Sequence, residues 1–126
     1  MMSQFRVRTD LAVEARDYIM DTKEELRGIR VEEVRGGDIH TTVVYIESKN
    51  ASKAMGKPMG TYITIEATRL EEQDEDYHKK VGRVIADKLS QLICEKKKDA
   101  SVLIVGLGNR EVTADALGPQ VVDKLY

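Results

Sequence analysis

An α/β fold, a mostly parallel sheet with flanking helices, is predicted for this chain by three features of its sequence. Residues 29–37, 40–48 and 60–68 are rich in Val, Ile, Thr and Tyr, the side chains that suit a pleated surface. Residues 74–98 carry apolar side chains at three- and four-residue spacings, the period of a helix with one buried face. The run "SVLIVG", residues 101–106, is apolar without alternation, as in a strand covered on both faces.

Taken in order, the segment from Leu11 to Arg27 is charged and helix-compatible, with Ala12, Ala15, Ile19 and Leu26 as apolar points and Gly28 as a stop. "IRVEEVRGG" reads as a strand ending in a glycine pair, and "HTTVVYIES" as a second strand. "GTYITIEAT" alternates Tyr62, Thr64 and Glu66 against Ile63 and Ile65, the pattern of a third. Between the last two, "KNASKAMGKPMG" holds two glycines and Pro58, so a long, mobile connection is expected. The helix over 74–98 has acids at its start and lysines at its end, which suits the sign of the helix macrodipole. "SVLIVG" then supplies an interior strand, and a last helix is expected from Leu117 onward.

The 126 residues suit one domain, and no Pro/Gly/Ser linker or repeat divides them. At 41% hydrophobic and 33% charged, a folded soluble protein is expected. A net charge of −2 offers no general attraction to nucleic acid or to an anionic membrane, and no apolar run reaches the length of a bilayer span. The start "MMSQFRVRTD" lacks an apolar signal core, so a cytoplasmic location is expected. The single Cys94 excludes an internal disulfide framework, and its helical apolar face predicts a buried or half-buried thiol. His40 and His78 each lack a second ligand at metal spacing, and no metal or cofactor is expected.

The stretch "GLGNREVTADALGP", Gly106 to Pro119, combines a glycine-built turn with one acid among small residues. In α/β sheets, reactive groups gather in the loops beyond the carboxyl ends of strands. Gly106 and Gly108 permit close approach of the backbone, and Asn109 completes the candidate active-site loop. A dinucleotide fingerprint is poorly matched, because Glu111 stands where its third glycine falls. Two readings of Asp115 stand on spacing alone: it caps the terminal helix, or it is a reacting carboxylate.

"RVRTDLAVEA" near the amino end and "GLGNREVTADALGP" near the carboxyl end together resemble the germination (spore) protease family of endospore-forming bacteria. The resemblance spans the whole chain and implies an endopeptidase, made as a zymogen, that degrades small acid-soluble spore proteins during germination. It implies a location in the spore core, a homo-oligomer, and an α/β fold similar to the hydrogenase maturation peptidases. It further implies an atypical aspartic protease with two essential aspartates, the first matching Asp115. The second falls beyond Tyr126 in the family, so residues 1–126 are expected to be an amino-terminal, inactive part of a larger protease domain. Ala114 stands where proline is expected in the family. By the same resemblance the self-processing bond is Asp10–Leu11, with residues 1–10 as propeptide; the other reading has Asp10 capping the helix from Leu11.

Two carboxylates close together resist joint ionisation, so one keeps a proton to polarise a carbonyl while the other activates water. The start of a helix favours an ionised Asp115 and hence the base role. Two other readings are a metal-dependent peptidase of the hydrogenase-maturation type and a non-catalytic binding module that keeps the loop as scaffold.

Overall fold

Three strands pair in chain order into one antiparallel sheet: β1 (Ile29–Gly36), β2 (Ile39–Ile46) and β3 (Gly60–Ala67). In this computed structural model the described residues are 11–13, 27–94 and 96–125, and they fall in two compact units, residues 1–88 and 89–126. The strand boundaries lie within two residues of those expected. β1 turns into β2 through Gly37 and Asp38, since Gly36 is already paired with Ile39. Gly37 sits at φ +64°, in the left-handed region that a side chain disfavours.

The sheet corrects the expected parallel arrangement. A two-residue turn can join only antiparallel neighbours, and β3 also returns antiparallel to β2. The likeness to hydrogenase maturation peptidases, expected from the family resemblance, gains no support from these strands. β2 is the central strand, and its burial is nearly continuous because both faces are covered. On one face Val44 and Ile46 pack with Ala12, Ala51 and Met55; on the other Ile39 packs with Tyr77 and Val81.

The stretch expected as a long connection instead holds a helix, α1 (Lys49–Met55). Ser48 is its N-cap, the hydroxyl oxygen accepting from the Ala51 N–H at 3.1 Å, and Gly56 ends it in the left-handed conformation. Ala51 and Met55, four residues apart, bury one side of that helix against the sheet.

The long helix is α2 (Glu75–Cys94), shorter than expected at its carboxyl end. Asp74 starts it: Oδ1 accepts from the Tyr77 N–H at 3.0 Å, and Arg69 pairs with Oδ2 at 2.9 Å. The Tyr77 N–H, then Arg69, hold the Asp74 carboxyl below its ordinary value. Arg69 also reaches Asp38 and Glu72, while the Tyr77 hydroxyl donates to the Asp38 carbonyl at 2.8 Å. Lys96, Lys97 and Lys98 follow the last turn rather than occupy it, so the macrodipole is matched only by the acids at the start. Past Val81 the apolar stripe is uncovered at Ile85, Leu89 and Ile93, and Cys94 at the helix end is exposed, not buried or half-buried as its spacing suggested. No helix among the described residues is long and apolar enough to cross a membrane.

Residues 101–105 form no strand, which corrects the reading of "SVLIVG" as an interior one. All five are exposed, Leu103 to 88%. An unalternating apolar run shows that both faces suit burial, but a strand also needs neighbours for its backbone groups. Among the described residues, 101–108 make no backbone hydrogen bond. A short 3₁₀ turn (Thr113–Asp115) and the helix α3 (Leu117–Asp123), starting at the expected residue, complete the second unit.

Candidate functional site

Three glycines let the chain fold back on itself around Asp115. A Cβ at Gly106 would lie 2.5 Å from the Gly118 carbonyl carbon and 2.7 Å from Val122 Cγ2. A Cβ at Gly108, where φ is +153°, would lie 2.9 Å from Pro119 Cδ and would overlap the Asp115 carbonyl oxygen. Gly118 meets the Leu107 backbone in the same way. Real Cβ atoms do not approach so closely, so backbone packs directly on backbone between 106–108 and 115–119.

Asn109 fastens both ends of the loop that follows. Its N–H donates to the Asp115 carbonyl at 2.8 Å, its carbonyl accepts from the Val112 N–H at 3.2 Å, and its Oδ1 accepts from the Glu111 N–H at 3.0 Å. That side-chain bond, two residues on, is how Asn mimics a backbone turn. Asp115 closes the 3₁₀ turn, its N–H donating to the Val112 carbonyl at 2.9 Å. Ala116, buried, then leads into α3.

The capping reading of Asp115 does not survive this geometry. The N-cap of α3 is Ala116, and no side chain makes a cap bond there. The Asp115 side chain is exposed and makes no hydrogen bond or ion pair among the described residues. The helix-start argument for its ionisation loses its contact as well. Such a carboxylate is open to solvent and to an incoming molecule, and it can take or give one proton.

Of the loop's other charges, Arg110 is paired, while the exposed Glu111 carboxylate makes no hydrogen bond or ion pair among the described residues. Arg110 and Asp123 form a two-pronged contact, with Arg110 Nη2 donating to Oδ1 at 2.9 Å. Arg110 holds the Asp123 carboxyl below its ordinary value, and Asp123 raises that of the guanidinium. Nothing in the sequence marks these two residues, thirteen apart, as partners. Gly118, by contrast, stood in plain view within "ADALGP".

Asp10 lies outside the described residues. Leu11, which follows it, is 44% exposed and directly precedes the helical residues Ala12 and Val13. The structure therefore brings Gly106, Gly108, Asn109 and Asp115 together in one unit, with Leu11 in the other. His40 Nδ1 lies 3.0 Å from Glu66 Oε2, and His78 Nε2 lies 3.0 Å from the Leu70 carbonyl oxygen. Among the described residues no group of three or more His, Cys, Asp or Glu side chains is placed to hold a metal ion.

Comparison with known proteins agrees with the resemblance in the two sequence stretches. The family model described as germination protease matches residues 7–126. A germination protease of Caldanaerobacter subterraneus subsp. tengcongensis is 47% identical over 119 residues, covering 94% of this chain and 36% of that protein. One from Bacillus cereus (strain G9842) is 44% identical over 130 residues, covering 98% of this chain and 35% of its own length. One from Clostridium acetobutylicum is 42% identical over 122 residues, covering 94% and 37%. The chain thus spans little more than a third of the length of these relatives.

Proposed function

The chain belongs to the germination protease family, and we propose that residues 1–126 are the amino-terminal part of an endopeptidase that degrades small acid-soluble spore proteins when spores germinate. The reading is carried by one observation: Asp115 presents an exposed carboxylate that has no hydrogen-bond or ion-pair partner among the described residues, on a turn fixed by three glycine contacts and the Asn109 bond. No cap bond engages that carboxylate, which is left open to a substrate, and the constrained backbone beneath it sets where it is presented.

In this proposal the protease is of an atypical aspartic kind, needing no cofactor. A second carboxylate, from polypeptide past Tyr126, comes close to Asp115, and the pair shares one proton because joint ionisation is costly. The ionised member takes a proton from water as it attacks the scissile carbonyl, and the protonated member donates to the developing oxyanion. The enzyme is made as a zymogen that cuts its own Asp10–Leu11 bond, the acid before the bond resembling its substrates. Residues 1–10 leave as propeptide, and the protein works as a homo-oligomer in the spore core.

The test is cleavage of a purified small acid-soluble spore protein by the full-length polypeptide, with the new termini read by mass spectrometry. Cuts after acidic residues, together with loss of residues 1–10 from the enzyme itself, are expected. An intact substrate after prolonged incubation with folded, processed protein would overturn the proposal.

A further inference from the structure

Arg110 lies in the loop that carries Asp115, yet its side chain reaches out of that loop to the far end of α3. Two guanidinium nitrogens engage the two carboxylate oxygens of Asp123, the last residue of the helix. Paired contacts between two planar groups fix direction as well as distance, which one contact does not.

These links close a ring. The Asn109 N–H holds the Asp115 carbonyl; the chain then runs through α3 to Asp123; and Arg110 leads back to its neighbour Asn109. The helix is therefore held in its first turn, where Gly118 meets Leu107, in its last turn, where Val122 lies close to Gly106, and at its last residue by Arg110. Without Arg110, the end of this seven-residue helix keeps only the half-buried Val122 contact, which sets no direction, and a shift there draws on the turn that carries Asp115. Apolar packing does little to prevent this, since Ala116 and Pro119 are the buried residues of 109–125.

We propose that Arg110, acting through Asp123, is a positioning residue for the Asp115 carboxylate, a role that rests on reading Asp115 as the reacting group. Both side chains are more than half exposed, at 63% and 51%, so the pair contributes little to overall stability. Its effect lies in aim. A displacement of roughly 1 Å at a reacting group costs up to about a hundredfold in rate.

The test compares full-length wild type, Arg110→Asp, Asp123→Arg, the double charge reversal and Asp115→Asn on a purified small acid-soluble spore protein. Each single reversal is expected to lower kcat by about ten- to a hundredfold, with KM and melting temperature nearly unchanged. The double reversal, which restores the pair with opposite polarity, is expected to recover most of the lost kcat. Single variants within about twofold of wild type, or a double variant no faster than the singles, would overturn the positioning role. An active Asp115→Asn would overturn the reading of Asp115 instead. Arg110 is then judged by hydrogen exchange at the Asn109 amide in the same proteins: faster in both singles and restored in the double if it fastens the loop, unchanged in all if it does not.

Discussion

Replacing Gly118 by alanine sets two physical effects against each other at the candidate site. Gly118 lies within α3 and its φ is not positive, so helix propensity alone favours alanine by about 0.5–1 kcal/mol. The contact argues the other way. A Cβ at Gly118 would overlap the Leu107 carbonyl oxygen and lie 2.9 Å from both the carbonyl carbon and the nitrogen of Leu107. The obstacle is backbone, which cannot swing aside as a side chain would, so the upper part of the usual overpacking cost of about 1–3 kcal/mol applies. Subtracting the propensity gain leaves a net loss of roughly 2 kcal/mol in the contact between 106–108 and 115–119. That is about a thirtyfold rise in local opening. Hydrogen exchange at the Asn109 amide, whose N–H donates to the Asp115 carbonyl, reads that opening directly. Slower exchange in Gly118→Ala, or a gain in stability of the size propensity gives, would refute the claim that backbone packing builds the site.

Three further outcomes follow from the same geometry. Met55→Ala removes a side chain that is 1% exposed beneath the sheet, and a loss of about 2–5 kcal/mol in denaturant unfolding of the first unit is expected. The Asp74 carboxyl is held low by the Tyr77 N–H and then by Arg69, so its contribution is complete above the unfolded-state value, near about 3.9, and is lost as pH falls through the folded value. An acid titration of stability should show that loss, and Asp74→Asn should flatten it. Asp10→Ala in the full-length protein should slow conversion to a form beginning at Leu11, as read by intact mass, while leaving the melting temperature near that of wild type.

Local chemistry was readable wherever a few neighbouring residues decide the structure. The β-branched runs placed β1, β2 and β3 closely, and the spacing of Tyr77, Val81 and Val84 placed α2. The glycines of "GLGN" and "ALGP" announced close backbone approach without showing that the two segments approach each other. α1 was hidden by Gly56 and Pro58, which read as breakers although Gly56 is a helix terminus; Ser48 three residues before Ala51 was the overlooked signal. The run at 102–105 failed for a different reason. Its side chains suit a strand covered on both faces, but pairing depends on other strands, and no local pattern supplies those. Strand direction was likewise settled by the Gly37–Asp38 turn, a feature smaller than the composition that suggested a parallel sheet. Asp115 could be picked out by its setting, but only the cap at Ala116 separates a free carboxylate from a structural one.

The central claim is that Asp115 reacts, and Asp115→Asn in the full-length protein tests it most directly. The amide keeps the shape of the side chain but cannot take a proton. Because Asp115 makes no cap bond or ion pair among the described residues, the change should leave the melting temperature within about 1 °C of wild type, in keeping with a surface substitution of no more than ~0.5 kcal/mol. Cleavage of a small acid-soluble spore protein should fall by at least about a thousandfold, as expected when a reacting group is removed. A folded Asp115→Asn protein that cleaves at a rate near wild type would contradict the account.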